Sequence, residues 1–117
     1  MSLNIPDHFT ISFSTNVMLL LQQKDYRAAS VQLEKAIALG LKEARLYNLL
    51  GICYRQMGQP GEAIRNYRLA LAVEPGLAEA HLNLALAYQQ SGKPAAASDE
   101  YATACKLDNK LCGYVPK

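Results

Sequence analysis

A chain of 117 residues with 12 basic and 10 acidic side chains carries a net charge of only +2. Half of its residues are hydrophobic and 19% are charged, which fits one modest globular domain and excludes a disordered chain. The basic residues are scattered, so nucleic acid and a membrane surface are both poor partners for it.

Residues 1–9 read as a lead-in. The apolar run Val17–Leu21 follows shortly after, far short of the ~20 residues that a membrane-spanning helix needs. Asp7 and His8 precede it without any Lys or Arg, so it does not read as a secretory leader.

From there the chain repeats itself. A step of thirty-four residues carries Leu50 to Leu84, Gly51 to Ala85, Tyr54 to Tyr88, Gly58 to Gly92, Pro60 to Pro94, Ala63 to Ala97 and Tyr67 to Tyr101. The same step backwards places Tyr47 on Phe13, Ala63 on Ala29 and Ala70 on Ala36. Three copies result, at 10–43, 44–77 and 78–111, followed by a tail at 112–117.

Each copy holds two stretches of helical periodicity. In the middle copy Leu46, Leu50, Cys53, Tyr54 and Met57 recur at three- and four-residue steps, and Ala63, Ile64, Tyr67, Ala70 and Leu71 follow the same rule. The punctuation agrees. Gly58 and Gly92 suit the left-handed position just past a helix end. Pro60 and Pro94 suit the first turn of the next helix, where a missing N–H costs nothing. In the first copy Lys24 stands where the glycine would be, and Asp25 can cap the helix after it. Pro75 ends the fourth helix. The spacing predicts six helices of about 12–15 residues and no strand. The tail from Asn109 to Lys117 is expected to be too short for a stable helix, although Leu111, Tyr114 and Val115 could fold back on the last copy.

An aromatic, then Leu-Gly, Tyr, Ala, an aromatic and Pro within thirty-four residues resembles the tetratricopeptide repeat. The middle copy supplies Tyr47, Leu50, Gly51, Tyr54, Ala63, Tyr67 and Pro75. The third supplies His81, Leu84, Ala85, Tyr88, Ala97 and Tyr101, with Asn109 in place of Pro. The first is degenerate, with Phe13, Asn16, Val17, Leu20, Ala29, Leu33 and Leu41. The resemblance implies an all-α fold: a right-handed superhelical array of three helix–turn–helix repeats, an α-solenoid.

It also implies a binding face. In that family the first helix of each repeat lines a concave side that receives peptides. Carried over by position, that face comprises Ser14, Met18, Leu21 and Gln22, then Arg45, Asn48, Leu49, Ile52, Arg55 and Gln56, then Glu79, Leu82, Asn83, Leu86, Gln89 and Gln90. Leu49, Ile52, Leu82 and Leu86 lie outside the slots needed for the core, so a partner with apolar anchors is expected. Asn48, Asn83, Arg45 and Arg55 could hydrogen-bond its backbone or a carboxylate. Some members clamp an acidic chaperone tail with Lys, Asn and Arg. The matching positions here, Ser14, Met18, Leu49, Glu79 and Asn83, hold no such cluster of positive charge.

Nothing points to catalysis. There is no phosphate loop, no GxSxG and no Cys/His cluster, so neither enzyme activity, cofactor nor metal is expected. His81 occupies an aromatic slot and reads as structural. Tyr47, Tyr54, Tyr67, Tyr88 and Tyr101 occupy repeat-core slots rather than a nucleic-acid stacking platform. Cys53 and Cys105 align with core positions, leaving Cys112 as the accessible cysteine. On one continuous helix Cys105 and Cys112 would lie about 10 Å apart, too far for a disulfide unless the chain turns after Leu107. A reducing, cytoplasmic setting is therefore expected, with the periplasm left open.

The functional reading is a protein–protein interaction module. The alternatives are a scaffold that self-associates through Val17–Leu21 or Tyr114-Val115, and an accessory domain of a larger protein.

Overall fold

A computed structural model describes residues 7–115, with side chains from 13 onward. Six α-helices follow in order: α1 (Asp7–Gln22), α2 (Tyr26–Ala38), α3 (Ala44–Gln56), α4 (Pro60–Val73), α5 (Ala78–Gln90) and α6 (Pro94–Leu107). A 3₁₀ helix, Asn109–Tyr114, closes the chain. No strand occurs among the described residues. The first helix begins at Asp7, before the repeat boundary read at residue 10.

The turns form as their chemistry requires. Gly58 and Gly92 adopt φ of 77° and 74° after α3 and α5, and Pro60 and Pro94 open α4 and α6. Lys24 takes the same left-handed conformation, at φ 59°, without the freedom of a glycine. Asp25 caps α2 by accepting from the Ala28 N–H at 3.2 Å.

Each helix packs on its sequence neighbour, and α3 also touches α5, giving an elongated stack of 46 × 29 × 22 Å. One core cluster joins Phe13 and Val17 of α1 to Ala29, Leu33 and Ala36 of α2 and Leu46, Leu50 and Cys53 of α3. The other joins Ala63, Ile64 and Tyr67 of α4 to Leu84, Ala85, Ala87 and Tyr88 of α5 and Ala97 and Tyr101 of α6. Small residues on one helix meet aromatics on the next, which permits close approach. Tyr67 is fully buried.

His81 bridges elements as a structural residue. Its Nδ1 lies 2.7 Å from Glu100 Oε2 of α6, and its Nε2 lies 3.0 Å from the Pro75 carbonyl.

The C-terminal segment departs from the sequence-based expectation. Helix α6 stops at Leu107, and the chain turns into 3₁₀ geometry, with Asp108 Oδ1 accepting from the Lys110 N–H at 3.0 Å. That turn brings the Cα atoms of Cys105 and Cys112 to 4.4 Å, and the two are disulfide-bonded. Cys105 is therefore not a core thiol and Cys112 is not a free one. The separation of about 10 Å holds only for a continuous helix, and the turn after Leu107 removes that condition. Val115 comes to rest against the second core cluster. Cys53 is the one free cysteine among the described residues, and it is buried.

Candidate functional site

The first helices of the repeats, α1, α3 and α5, share one side of the stack. Their inward faces follow from spacing: Leu46, Leu50 and Cys53 turn into the core, so Arg45, Leu49 and Ile52 emerge about 100° away on the helix. Between α1 and α3 this leaves a cavity of about 420 Å³. Phe13, Ser14, Val17 and Met18 of α1 line it, with Arg45, Leu46, Asn48, Leu49 and Ile52 of α3 and Glu79 of α5. Its walls are mainly apolar. Arg45 and Glu79 stand exposed at its rim, one cationic and one anionic.

The structure thus brings together seven of the residues expected on the binding face: Ser14, Met18, Arg45, Asn48, Leu49, Ile52 and Glu79. Met18 is 55% exposed. The four leucine and isoleucine residues are not fully open surface. Leu49 is half-buried against the first core cluster, and Ile52, Leu82 and Leu86 are half-buried against the second. All four widen the core, and Leu49 and Ile52 also present an edge to the cavity. Leu82, Asn83, Leu86, Gln89 and Gln90 belong to α5 and do not line the cavity; Gln89 and Gln90 are exposed.

Asn48 and Asn83 have a partner already, namely each other. Asn83 Nδ2 donates to Asn48 Oδ1 at 3.0 Å, tying α5 to α3 across the floor of the groove. Asn48 is only 4% exposed. A buried amide that is hydrogen-bonded across two helices fixes their spacing, and its bonded oxygen is not free for a peptide. The spacing of thirty-five residues between these two was visible in the sequence, but only the packing of α3 on α5 makes it a contact.

Sequence reasoning missed Phe13, Val17 and the core residue Leu46 as cavity walls. Phe13 and Val17 read as degenerate repeat residues and Leu46 as a core slot, and all three are buried core residues that also line the cavity.

At the far end of α3 the polar arrangement changes. Tyr101 donates its hydroxyl to Gln89 Oε1 at 2.7 Å. One repeat earlier the same two positions hold Tyr67 and Arg55. There the Tyr67 hydroxyl and Arg55 Nε are buried without a hydrogen bond of good geometry, although the Arg55 side chain lies within hydrogen-bonding reach of the phenol. Burial pushes the Tyr67 phenol up to about 12, and the nearby Arg55 cation opposes that push. Burial also raises Tyr101, again with Arg55 opposing.

Two sequence families meet this chain. The "TPR repeat" description matches residues 53–92, and "Tetratricopeptide repeat" matches 78–111. The chain belongs to the tetratricopeptide-repeat family. Among curated relatives it is 30% identical over 93 residues to DnaJ homolog subfamily C member 3 of Gallus gallus, covering 78% of this chain and 18% of that protein. It is 38% identical over 72 residues to the type IV pilus assembly protein PilF of Pseudomonas aeruginosa, covering 61% of this chain and 29% of that one. The chain thus spans less than a third of the length of either.

Among solved tetratricopeptide-like folds, the Yersinia enterocolitica type III secretion chaperone SycD, in complex with a peptide of the translocator YopD, superposes with a TM-score of 0.88. It is 20% identical, over 96% of this chain and 90% of that one. PcrH, in complex with the chaperone binding region of PopB, superposes at 0.88 with 15% identity, over 96% and 95%. MamA superposes at 0.73 with 28% identity, over 84% and 57%. The first two likenesses are likenesses of fold.

Proposed function

We propose that this chain is a protein-interaction module that takes an apolar anchor of a partner segment into the cavity between α1 and α3. The carrying observation is the cavity itself: about 420 Å³, mainly apolar, open to solvent and walled by Met18, Leu49 and Ile52. Such a pocket holds one or two large apolar side chains, and burial of a few anchors supplies most of the affinity in peptide recognition. Membership of the tetratricopeptide-repeat family supports this reading, as do the peptide complexes of SycD and PcrH.

The test is retention of partner proteins on immobilised wild type and on a Met18→Glu/Leu49→Glu variant, with helical content and melting temperature checked alongside. A protein held by wild type and lost by a folded variant supports the groove. Equal retention by both overturns it. Recovery of copies of this chain alone favours the self-associating scaffold.

The Cys105–Cys112 bond bears on the setting. Disulfides persist in oxidising compartments and are rare where thiols are kept reduced. We infer that the chain works in an oxidising compartment. The intact mass of protein trapped from its native cells by rapid alkylation tests this: two alkylated thiols at this pair overturn it.

A further inference from the structure

We propose that a second, polar cleft, walled by α2, α3 and α4, seats the guanidinium of an arginine side chain presented by a partner protein. Its α3 residues, Leu50 and Tyr54, lie on the opposite side of that helix from Leu49 and Ile52. The cleft is therefore distinct from the groove and does not depend on the groove reading above.

Helices α2 and α4 both pack on α3, and the cleft opens between them with a volume of about 270 Å³. Glu34 of α2, Leu50 and Tyr54 of α3, and Glu62, Arg65 and Asn66 of α4 line it. Leu50, 4% exposed, and Asn66, 7% exposed, are its most deeply set residues. Tyr54 donates its hydroxyl to Glu34 Oε1 and holds that carboxylate at the wall. Asn66 Nδ2 donates to the Glu62 backbone carbonyl at 2.9 Å. A carbonyl only accepts, so this bond fixes which end of the amide is which. Asn66 Oδ1, on a side chain more than nine-tenths buried, is thereby left as an acceptor without a partner. The Glu62 carboxylate is unmatched too. It makes no hydrogen bond among the described residues, where the one ion pair joins His81 to Glu100. Surface carboxylates are satisfied by water, but an amide oxygen set this deep calls for a donor.

The next repeat shows what such a donor looks like. A step of thirty-four residues carries Glu34 to Arg68, Tyr54 to Tyr88, Glu62 to Ala96 and Asn66 to Glu100. There Arg68 Nη2 donates to the Tyr88 hydroxyl at 2.5 Å, and its guanidinium carbon stands 5.8 Å from the centre of the tyrosine ring. Glu100 is taken by His81 at 2.7 Å. That cleft supplies its own guanidinium and leaves no acceptor waiting. In the first cleft the charge is reversed. Glu34 stands where Arg68 would be, so the same tyrosine seat meets carboxylates and a free amide oxygen, and its cation has to come from outside.

The chemistry of the occupant follows from the lining. Two carboxylates against the one cation of Arg65 leave a single negative charge to be matched, which fits a monocation. A guanidinium has five N–H donors, no acceptor and a flat face. It pairs with a carboxylate through two parallel hydrogen bonds, keeps donors over for the Asn66 oxygen and lies against an aromatic ring. A lysine ammonium is a point charge with three donors and no such face. A divalent metal ion is a poor occupant, because no group of three acidic, histidine or cysteine side chains forms among the described residues and Arg65 repels a dication.

The probe is N-acetyl-arginine amide, titrated into the isotope-labelled protein at low salt and followed by NMR. N-acetyl-citrulline amide, which keeps the shape and lacks the charge, N-acetyl-lysine amide and calcium chloride are the comparisons. The expected result is a saturable shift of the Asn66 side-chain amide and of the Leu50 and Tyr54 backbone amides. Citrulline is expected to bind about tenfold more weakly than arginine. Glu62 is exposed and its side chain bonds nothing in the fold, so Glu62→Gln keeps the structure and is expected to weaken arginine about tenfold. Arg65→Gln removes the opposing cation and is expected to tighten it about two- to threefold. The Met18→Glu/Leu49→Glu variant is expected to bind arginine as wild type does, since it alters only the groove. Equal binding of arginine and citrulline, or unchanged binding in Glu62→Gln, overturns the site. So do shifts that fail to saturate or that spread over the surface carboxylates. Lysine binding as tightly as arginine, or calcium displacing it, overturns the guanidinium assignment.

Discussion

A Cβ placed on Gly51 would lie 2.5 Å from Tyr67 Cε1 and 2.6 Å from Cδ1, inside the contact distance of any real methyl group. Helix α3 lies directly against the Tyr67 ring, which is fully buried. Ala85 holds the equivalent position in the third repeat. Gly51→Ala returns ~1 kcal/mol of helix propensity but overpacks the core at ~1–3 kcal/mol, for a net loss of up to about 2 kcal/mol. Denaturant unfolding of the single variant measures it. A variant as stable as wild type would show that the ring yields.

Lys24 occupies a left-handed turn that the other two repeats give to glycine. A side chain there costs roughly 1–2 kcal/mol, and glycine relieves it at some entropic expense in the unfolded chain. Lys24→Gly is expected to stabilise the protein by about 0.5–1 kcal/mol. A thermal melt that moves downward refutes it.

Three buried or bonded acids shift in the same direction. Burial pushes the Cys53 thiol up from 9.0 to about 11. The hydrogen bond that Tyr54 donates to Glu34 pushes its phenol up from 10.0 to about 12, with burial adding to it. Burial takes Tyr67 to about 12. Each group holds its proton more firmly folded than unfolded. The stability they contribute is therefore complete below about pH 9 and is lost as pH climbs to about 12. Melting temperature is expected to fall across that window, and less steeply in Tyr67→Phe. Identical slopes for the two proteins count against the buried phenol. The Cys53 thiol is also expected to resist alkylation in the native state at neutral pH.

The Cys105–Cys112 bond closes a small loop, with a sequence separation of 7. Chain entropy puts its contribution at up to about 2.5 kcal/mol, concentrated on the 3₁₀ segment and on Val115 against the core. Dithiothreitol, or a Cys105→Ser/Cys112→Ser variant, is expected to lower the unfolding midpoint and raise amide exchange at Leu111–Val115. Unchanged exchange there would mean that the segment holds by packing alone.

The sequence by itself determined the repeat, the six helices and their turns, because each depends on a period or on one residue's backbone preference. Gly58, Gly92, Pro60, Pro94 and Asp25 act within a few residues of themselves, and their roles are local. It also determined which apolar residues the core slots leave over, since those filled by Leu46, Leu50, Cys53 and Leu84 leave Leu49, Ile52 and Leu86 at the side. Only the tertiary structure decided how open that side is. Burial depends on the neighbouring helix, so Leu49 and Ile52 became half-core and half-groove, Leu82 and Leu86 became half-buried core edge, and Phe13 and Val17 became cavity wall. Asn48 found Asn83 across two helices, a pairing that no period announces. Cys105 reached Cys112 because α6 stops at Leu107, and a distance across a turn follows from where the helix ends rather than from spacing. That Arg55 lies beside the buried Tyr67 hydroxyl, where the next repeat sets Gln89 against Tyr101, appeared only once the two stacked repeats could be compared in space.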